Sequence, residues 1–163
     1  MVRRCRTCRR ILPALALLLV APSLQAQDAQ ARLWDAAMAG DTTAIAQALA
    51  DGAKVDELDT RRSVNGRFAL NWAAWYNHPA AIRLLVARGA DLEAENRTGF
   101  SALHHAAEAG SLNAARTLLA LGADPTHANG MGVTPVETAR ERNNEAIAAV
   151  LDSVIAAKAA RKP

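Results

Sequence analysis

Aromatic side chains are scarce: three Trp, two Phe and one Tyr among 163 residues. Sites that enclose a large ligand or cofactor draw heavily on such side chains, so this chain is not built around a bulky bound molecule. Cysteine is nearly absent as well. Cys5 and Cys8 both lie in the first ten residues, leaving the remainder without a disulfide framework or a thiolate metal site. Their Cys-x-x-Cys spacing has the form of a redox or zinc motif. They sit among five arginines ahead of an apolar run, however, and that setting suits neither chemistry. The sequence has no Gly-rich phosphate loop, no nucleophile elbow and no carboxylate pair at a diagnostic spacing. Of the four histidines, His104 and His105 are neighbours, and adjacent helical side chains diverge too far to share one metal. His78 and His127 fall near helix ends or turns. An enzyme, a metal site, a cofactor and a small-molecule substrate are therefore not expected.

The first 26 residues are a separate object. Arg3, Arg4, Arg6, Arg9 and Arg10 make a basic start, Ile11 to Val20 is apolar, and Ala21-Pro22-Ser23-Leu24-Gln25-Ala26 reads as a cleavage region. This predicts a secretory signal peptide over 1–26 and a mature domain over 27–163, exported to a bacterial periplasm. The apolar run is short for a membrane span. Left uncleaved, it would tether the chain to a membrane.

Export changes the charge balance. Of 19 basic residues, five are these arginines, and all 16 acidic residues follow Ala26, so the mature net charge is 14 against 16, or −2. The sequence pI near 9.3 belongs to the leader. A nucleic-acid partner needs a basic footprint that the mature chain lacks.

What the chain has is a period. Gly66, Gly99 and Gly132 are 33 residues apart, as are Leu70, Leu103 and Val136, and Ala73-Ala74 recurs as Ala106-Ala107. The stretch from Gly89 to Asp124 opens and closes on Gly-Ala-Asp at the same interval of 33. A fixed period of this length means stacked supersecondary units. Leu103, Ala106 and Ala107 form the apolar stripe of one short helix, and Ala114, Ala115, Leu118 and Leu119 that of a second. Gly110 and Gly122 end these helices, and Gly89 is the counterpart of Gly122 one unit earlier. Ser101 and Thr134 are placed to cap first helices, with Pro135 at the first helical position. No segment alternates long enough to demand a sheet.

The third unit reads GFSALHHAA, followed by a helix ending LLALGAD; the second reads GRFALNWAAWYNHPAAIRLLVARGAD. In this the chain resembles the ankyrin repeat family over roughly residues 31 to 151. The first unit, LWDAAMAGDTTAIAQALADGAKVD, lacks the opening turn, and the fourth, GVTPVETAR, has lost the second Gly-Ala-Asp. The resemblance implies an all-α solenoid of about four helix-turn-helix units near 31–58, 59–95, 96–128 and 129–155, two full ones between two capping ones. End units must show water a face that inner units bury. It also implies that His104 hydrogen-bonds the turn backbone, and that Asn71, in the same slot, does a similar job. His105 and Trp72 share a slot and are expected to pack inside. Trp34, ahead of Ala36-Ala37, is read as the match of Trp72 ahead of Ala73-Ala74, also in the core. Phe68 stands where Ser101 and Thr134 stand, either packing on the turn or breaking a cap.

Candidate binding residues follow from the same register. Trp75 and Tyr76 occupy slots that in ankyrin proteins face the concave surface; Met38, Glu108 and Glu141 are their counterparts in other units. Exposed Trp and Tyr are typical of binding hot spots; the other reading is that the pair only covers the long turn before it. The Gly-Ala interval from Gly52 to Gly89 is 37 residues, so four extra ones lie between Leu58 and Gly66. That longer turn carries Arg61 and Arg62, with Arg67 just beyond, and arginines can hold carboxylates bidentately. Phe100 on the next turn would extend the patch and Glu108 would set register; Arg97, Met131 and Val133 are also on turn tips. Lys158, Arg161 and Lys162 suit the negative end of a last helix.

The function expected is a non-catalytic protein-protein interaction module, monomeric, holding a partner protein through its concave face and loop tips. An inhibitor or immunity factor blocking one enzyme or toxin is a narrower form of the same reading. A membrane-tethered scaffold is another, should the leader persist.

Overall fold

The computed structural model describes residues 22–161. Most of the expected leader, with Cys5 and Cys8, and also Lys162 lie outside the described residues. Among the described residues eight helices follow one another and there is no strand, only an isolated antiparallel bridge between Asp59 and Arg67. They pair as α1 (Pro22–Ala39) with α2 (Thr42–Ala50), α3 (Ala69–Trp75) with α4 (Pro79–Ala87), α5 (Ala102–Ala109) with α6 (Leu112–Leu121), and α7 (Pro135–Glu141) with α8 (Glu145–Ala160). First helices pack in one row, α1 on α3 on α5 on α7, and second helices in another, α2 on α4 on α6 on α8. The all-α stack of four units is thus present. α1 runs through the expected cleavage region, and its packing against the stack is secure by Ala29, which is fully buried.

Alanine sets the thickness. Ala36, Ala37, Ala73, Ala74, Ala106, Ala107 and Ala139 are buried in the first-helix row, with Leu33, Leu70, Leu103 and Val136 beside them. Small side chains there let these helices approach closely, and α3, α5 and α7 have eight residues or fewer. Ile45, Ile82, Leu85, Leu118, Ile147 and Leu151 fill the space between rows. The six inner helices, α2 to α7, are too short to stand alone, so their stability comes from this packing.

Each pair is joined by a left-handed residue at one register position: Gly40, Asn77, Gly110 and Asn143, with φ of 73°, 59°, 74° and 59°. The residue after it holds the N-cap position of the second helix: the Asp41 carboxylate caps α2, whereas in the other three units the side chain reaches back one unit instead. His78 Nε2 bonds Met38 O at 2.9 Å, the Ser111 hydroxyl donates to Trp75 O at 2.7 Å, and Asn144 Nδ2 donates to Ala107 O at 2.8 Å. This ladder satisfies carbonyls that a helix end leaves without partners. His78 and Asn144 are therefore structural.

The caps behave unevenly. Thr134 and Glu137 exchange bonds in a capping box, with Pro135 in the first turn. In the third unit His104 takes the Glu role: its Nδ1 accepts from the Ser101 N–H at 3.3 Å and lies 3.0 Å from the Ser101 hydroxyl. Phe68 caps nothing; half-buried, it begins α3 without a side-chain bond.

Two register expectations need correction. Counting from the Ala-Ala pair, Trp34 matches Asn71 and His104, not Trp72. Its indole accordingly donates to Glu57 O at 3.0 Å, in the following turn, much as the His104 Nε2–H donates to Val133 O at 3.0 Å. Asn71 does not do the same job. It is 1 % exposed, and neither its amide nitrogen nor its oxygen has a partner. An Asn side chain is shorter than imidazole or indole and ends before the next turn.

Candidate functional site

The turns preceding the first helices are built on one plan. Asn96 N–H donates to Phe100 O at 3.1 Å, and Asn129 N–H to Val133 O at 2.9 Å. In each, the Asn Oδ1 accepts backbone N–H groups from inside the turn: Thr98 and Phe100, then Met131 and Val133. In the second unit the same bracket closes between Asp59 and Arg67, through N–H to O bonds of 2.8 and 3.1 Å. The four additional residues therefore sit inside the bracket. Asp59, Asn96 and Asn129 hold equivalent positions, a periodicity visible in the sequence but not singled out there.

Inside the long turn, Arg61 is occupied. Its Nε and Nη2 donate to the Asp59 carboxylate at 2.8 and 3.1 Å, and Nη2 also donates to Asp35 at 2.9 Å. Its guanidinium lies 4.9 Å from the Trp34 ring centroid. Asp59 is fully buried and also accepts the Trp72 indole N–H at 3.2 Å. Burial pushes its carboxyl upward, but the bonds and charge of Arg61 with the Trp72 bond outweigh that and hold it below the usual carboxylate range. The same carboxylates push the Arg61 guanidinium upward. Arg62 is exposed and has no partner among the described residues. Val64, at the tip, is 78 % exposed, and Arg97 of the next turn pins it by donating to Val64 O at 2.7 Å.

Arg67 lies elsewhere. Its guanidinium stacks over Trp72 at 4.6 Å and Trp75 at 4.2 Å. Trp72 stacks in turn with Tyr76, at 6.1 Å between centroids. Trp72 is buried, Trp75 half-buried and Tyr76 47 % exposed. The expected aromatic-plus-arginine patch is therefore built by Arg67 with Trp75 and Tyr76, while Arg61 belongs to a separate cluster on Trp34. Asp59 joins the two clusters, accepting from both Arg61 and Trp72.

Phe100 holds the position of Arg67 one unit on. It is half-buried against His104 at 5.3 Å and His105 at 5.7 Å. His105 is 3 % exposed, and burial drives its pKa down to about 3, so its 3.9 Å approach to Glu108 is no ion pair. Glu108 pairs with Arg142 instead, a partner the sequence reading did not name. Met38 is half-buried against the core. Gly89 and Gly122 both take left-handed φ, 93° and 106°, after their helices.

Between these turns and α5 lies a cleft of about 310 Å³, lined by Asn65, Arg67, Thr98, Phe100, His105, Glu108 and Met131 among others. Met131, 70 % exposed, lines it as a bare apolar tip, and Val64 is a second such tip between the lining residues Ser63 and Asn65. A second hollow of about 380 Å³ lies at the first unit, between Gln30, Trp34, Lys54 and Arg61. Among the described residues no three His, Cys, Asp or Glu side chains are grouped to hold a metal ion. Nor is any described helix long and apolar enough to cross a membrane. The arrangement offers aromatic faces, a guanidinium and hydrogen-bonding groups on a rigid ledge, the chemistry of recognition.

A family model for ankyrin repeats in three copies matches residues 33–129. The chain is 38% identical over 87 residues to the Ankyrin repeat and SAM domain-containing protein 6 of Danio rerio, covering 53% of this chain and 12% of that protein. It is 36% identical over 103 residues to the B-cell lymphoma 3 protein homolog of Mus musculus, covering 63% of this chain and 22% of that one. To the Tyrosine-protein kinase HTK16 of Hydra vulgaris it is 31% identical over 116 residues, 70% of this chain and 15% of the kinase. The chain thus spans less than a quarter of the length of these curated relatives, and what they share with it is the repeat. With the period, the paired helices and the matched model in agreement, the chain belongs to the ankyrin repeat family, whose repeats mediate protein–protein interaction.

Proposed function

We propose that this chain is a non-catalytic binding module that holds one partner protein across its first helices and turn tips, in an exported compartment. The observation that carries this is the Arg67–Trp75–Tyr76 cluster: a half-buried Trp75 held under the Arg67 guanidinium and a 47 % exposed Tyr76 stacked on Trp72, beside a cleft and two exposed apolar tips. Trp, Tyr and Arg are the residue types that dominate interface energies. The stack fixes them before a partner arrives, so docking costs little ordering entropy. The export half of the proposal rests on the arginine-rich start and the apolar run ahead of Ala26.

The test is capture from a periplasmic extract by the chain and by its Trp75→Ala/Tyr76→Ala variant, the variant's fold checked by circular dichroism. A protein retained by the first and lost by the second supports the surface. One held equally by both moves the interface elsewhere. N-terminal sequencing of the exported form tests the compartment: a start at Gln27 supports cleavage, and an intact Met1 means a tethered chain.

A further inference from the structure

Arg67 differs from the other arginines beside it. Arg61 is bound by Asp59 and Asp35, Arg97 donates to Val64 O, and Arg142 is paired with Glu108. Arg67 has no carboxylate within ion-pair distance and no side-chain hydrogen bond among the described residues, although it is half-buried between turn and helix. Two indole faces grip the plane of its guanidinium. Stacking of this kind leaves the N–H groups at the rim of the plane unused, and those are the groups that grip a carboxylate in a fork. Desolvation, only partly offset by the charge of Glu108, lowers its pKa. It stays charged at neutral pH, because an arginine starts far above it.

A second group in the same cleft is also without a partner. His105 lines it, is 3 % exposed, and has neither ring nitrogen bonded. A neutral imidazole carries one N–H and one lone pair. A buried polar group left unbonded is costly, and a ligand oxygen placed between Arg67 and His105 would relieve both.

We propose that the Arg67–His105 cleft is a receptor for one carboxylate, the Asp or Glu side chain of an extended segment of the partner. This rests on the protein-binding reading above. A single charge is favoured because, among the described residues, Arg67 is the one uncommitted cation lining the cleft, and Glu108 beside it would repel a phosphate carrying nearly two charges. A side chain within a segment is favoured over a chain terminus because apolar surface continues on both sides. Trp75 and Tyr76 lie beyond Arg67, while Phe100 and Met131 line the cleft itself.

The experiment is an NMR titration of the labelled full chain with acetyl-Ala-Glu-Ala-amide, following the indole N–H signals of Trp72 and Trp75 and the ring of His105. Its controls are acetyl-Ala-Gln-Ala-amide, acetyl-Ala-Ala with a free carboxylate, and inorganic phosphate. Saturable shifts with the Glu peptide, at least ten-fold weaker with the Gln peptide and with the Arg67→Gln variant, support the proposal. Arg67→Lys, which keeps the charge on the indoles but not the fork, should fall between. Equal shifts from Glu and Gln peptides, unchanged titration of Arg67→Gln, or tighter binding of phosphate or of the free terminus would each overturn it. If a captured protein partner binds Arg67→Gln as well as it binds the parent chain, the carboxylate receptor fails while the binding reading stands. If the Glu peptide titrates but no protein is captured, the opposite holds.

Discussion

The Asp59 carboxylate accepts the Trp72 indole N–H at 3.2 Å, which ties the long turn of the second unit to the helix that follows it. The same carboxylate accepts the Arg61 backbone N–H at 3.0 Å and the Nε and Nη2 groups of its guanidinium. One buried acid thus organises a turn that is four residues longer than its neighbours.

Replacing Asp59 with Ala should therefore destabilise the chain by about 2–4 kcal/mol, since it strands buried donors and frees the turn. Asp59→Asn keeps the acceptor for backbone N–H, as Asn96 and Asn129 do, and should cost less. Urea unfolding of both variants checks the order. The ionised form is favoured by folding, so this contribution is present above about pH 4 and is lost as pH falls through the lowered folded pKa. In Asp59→Asn that part of the acid dependence should vanish.

His105 gives a second pH dependence at higher pH. Its folded pKa is about 3, because burial disfavours the imidazolium and Arg67 and His104 add to the effect. Between about pH 6.5 and that value the unfolded chain binds a proton that the folded chain does not. Stability should then fall with acidification across this window, by at most about 1.4 kcal/mol per pH unit from this one group. His105→Thr, the residue that Thr138 supplies at the same position of the fourth unit, should flatten the profile measured by urea unfolding.

Asn71 is a buried amide with no partner. Asn71→Leu should raise stability by about 1 kcal/mol, by removing the unmet desolvation of both polar atoms at nearly constant volume. A drop in the urea midpoint would show that the site is polar for a reason the fold does not display.

Gly99 takes φ of 77°, and a Cβ there would stand 2.1 Å from the Gly130 backbone nitrogen. Gly132, at the same register with φ of 79°, has open space around it. Gly132→Ala should cost about 1 kcal/mol for the left-handed backbone alone. Gly99→Ala should cost clearly more, because two turns must separate. Thermal unfolding of the pair distinguishes the two costs.

The repeat, its four units and its helix stripes were all legible in the sequence, because each depends on local spacing. Glycine at a left-handed position, alanine where helices touch and leucine between the rows announce themselves by period. The long turn was legible too, as four extra residues before Gly66. Its internal wiring was not. Arg61 and Arg67 are alike in sequence, and nothing local says that one folds back onto Asp35 and Asp59 while the other climbs onto Trp72 and Trp75. Asn71 and Trp34 stand in the slot of His104, yet side-chain length decides which of the three reaches the next turn.

Periodicity alone therefore determined that this chain is a stack, and roughly where each helix begins and ends, since the pattern of apolar and left-handed positions is a property of neighbours in sequence. Only the tertiary structure decided which charges are already satisfied within the chain and which, like Arg67, stay open to a partner. That outcome depends on carboxylates and ring faces brought together from different units, at distances no local pattern encodes.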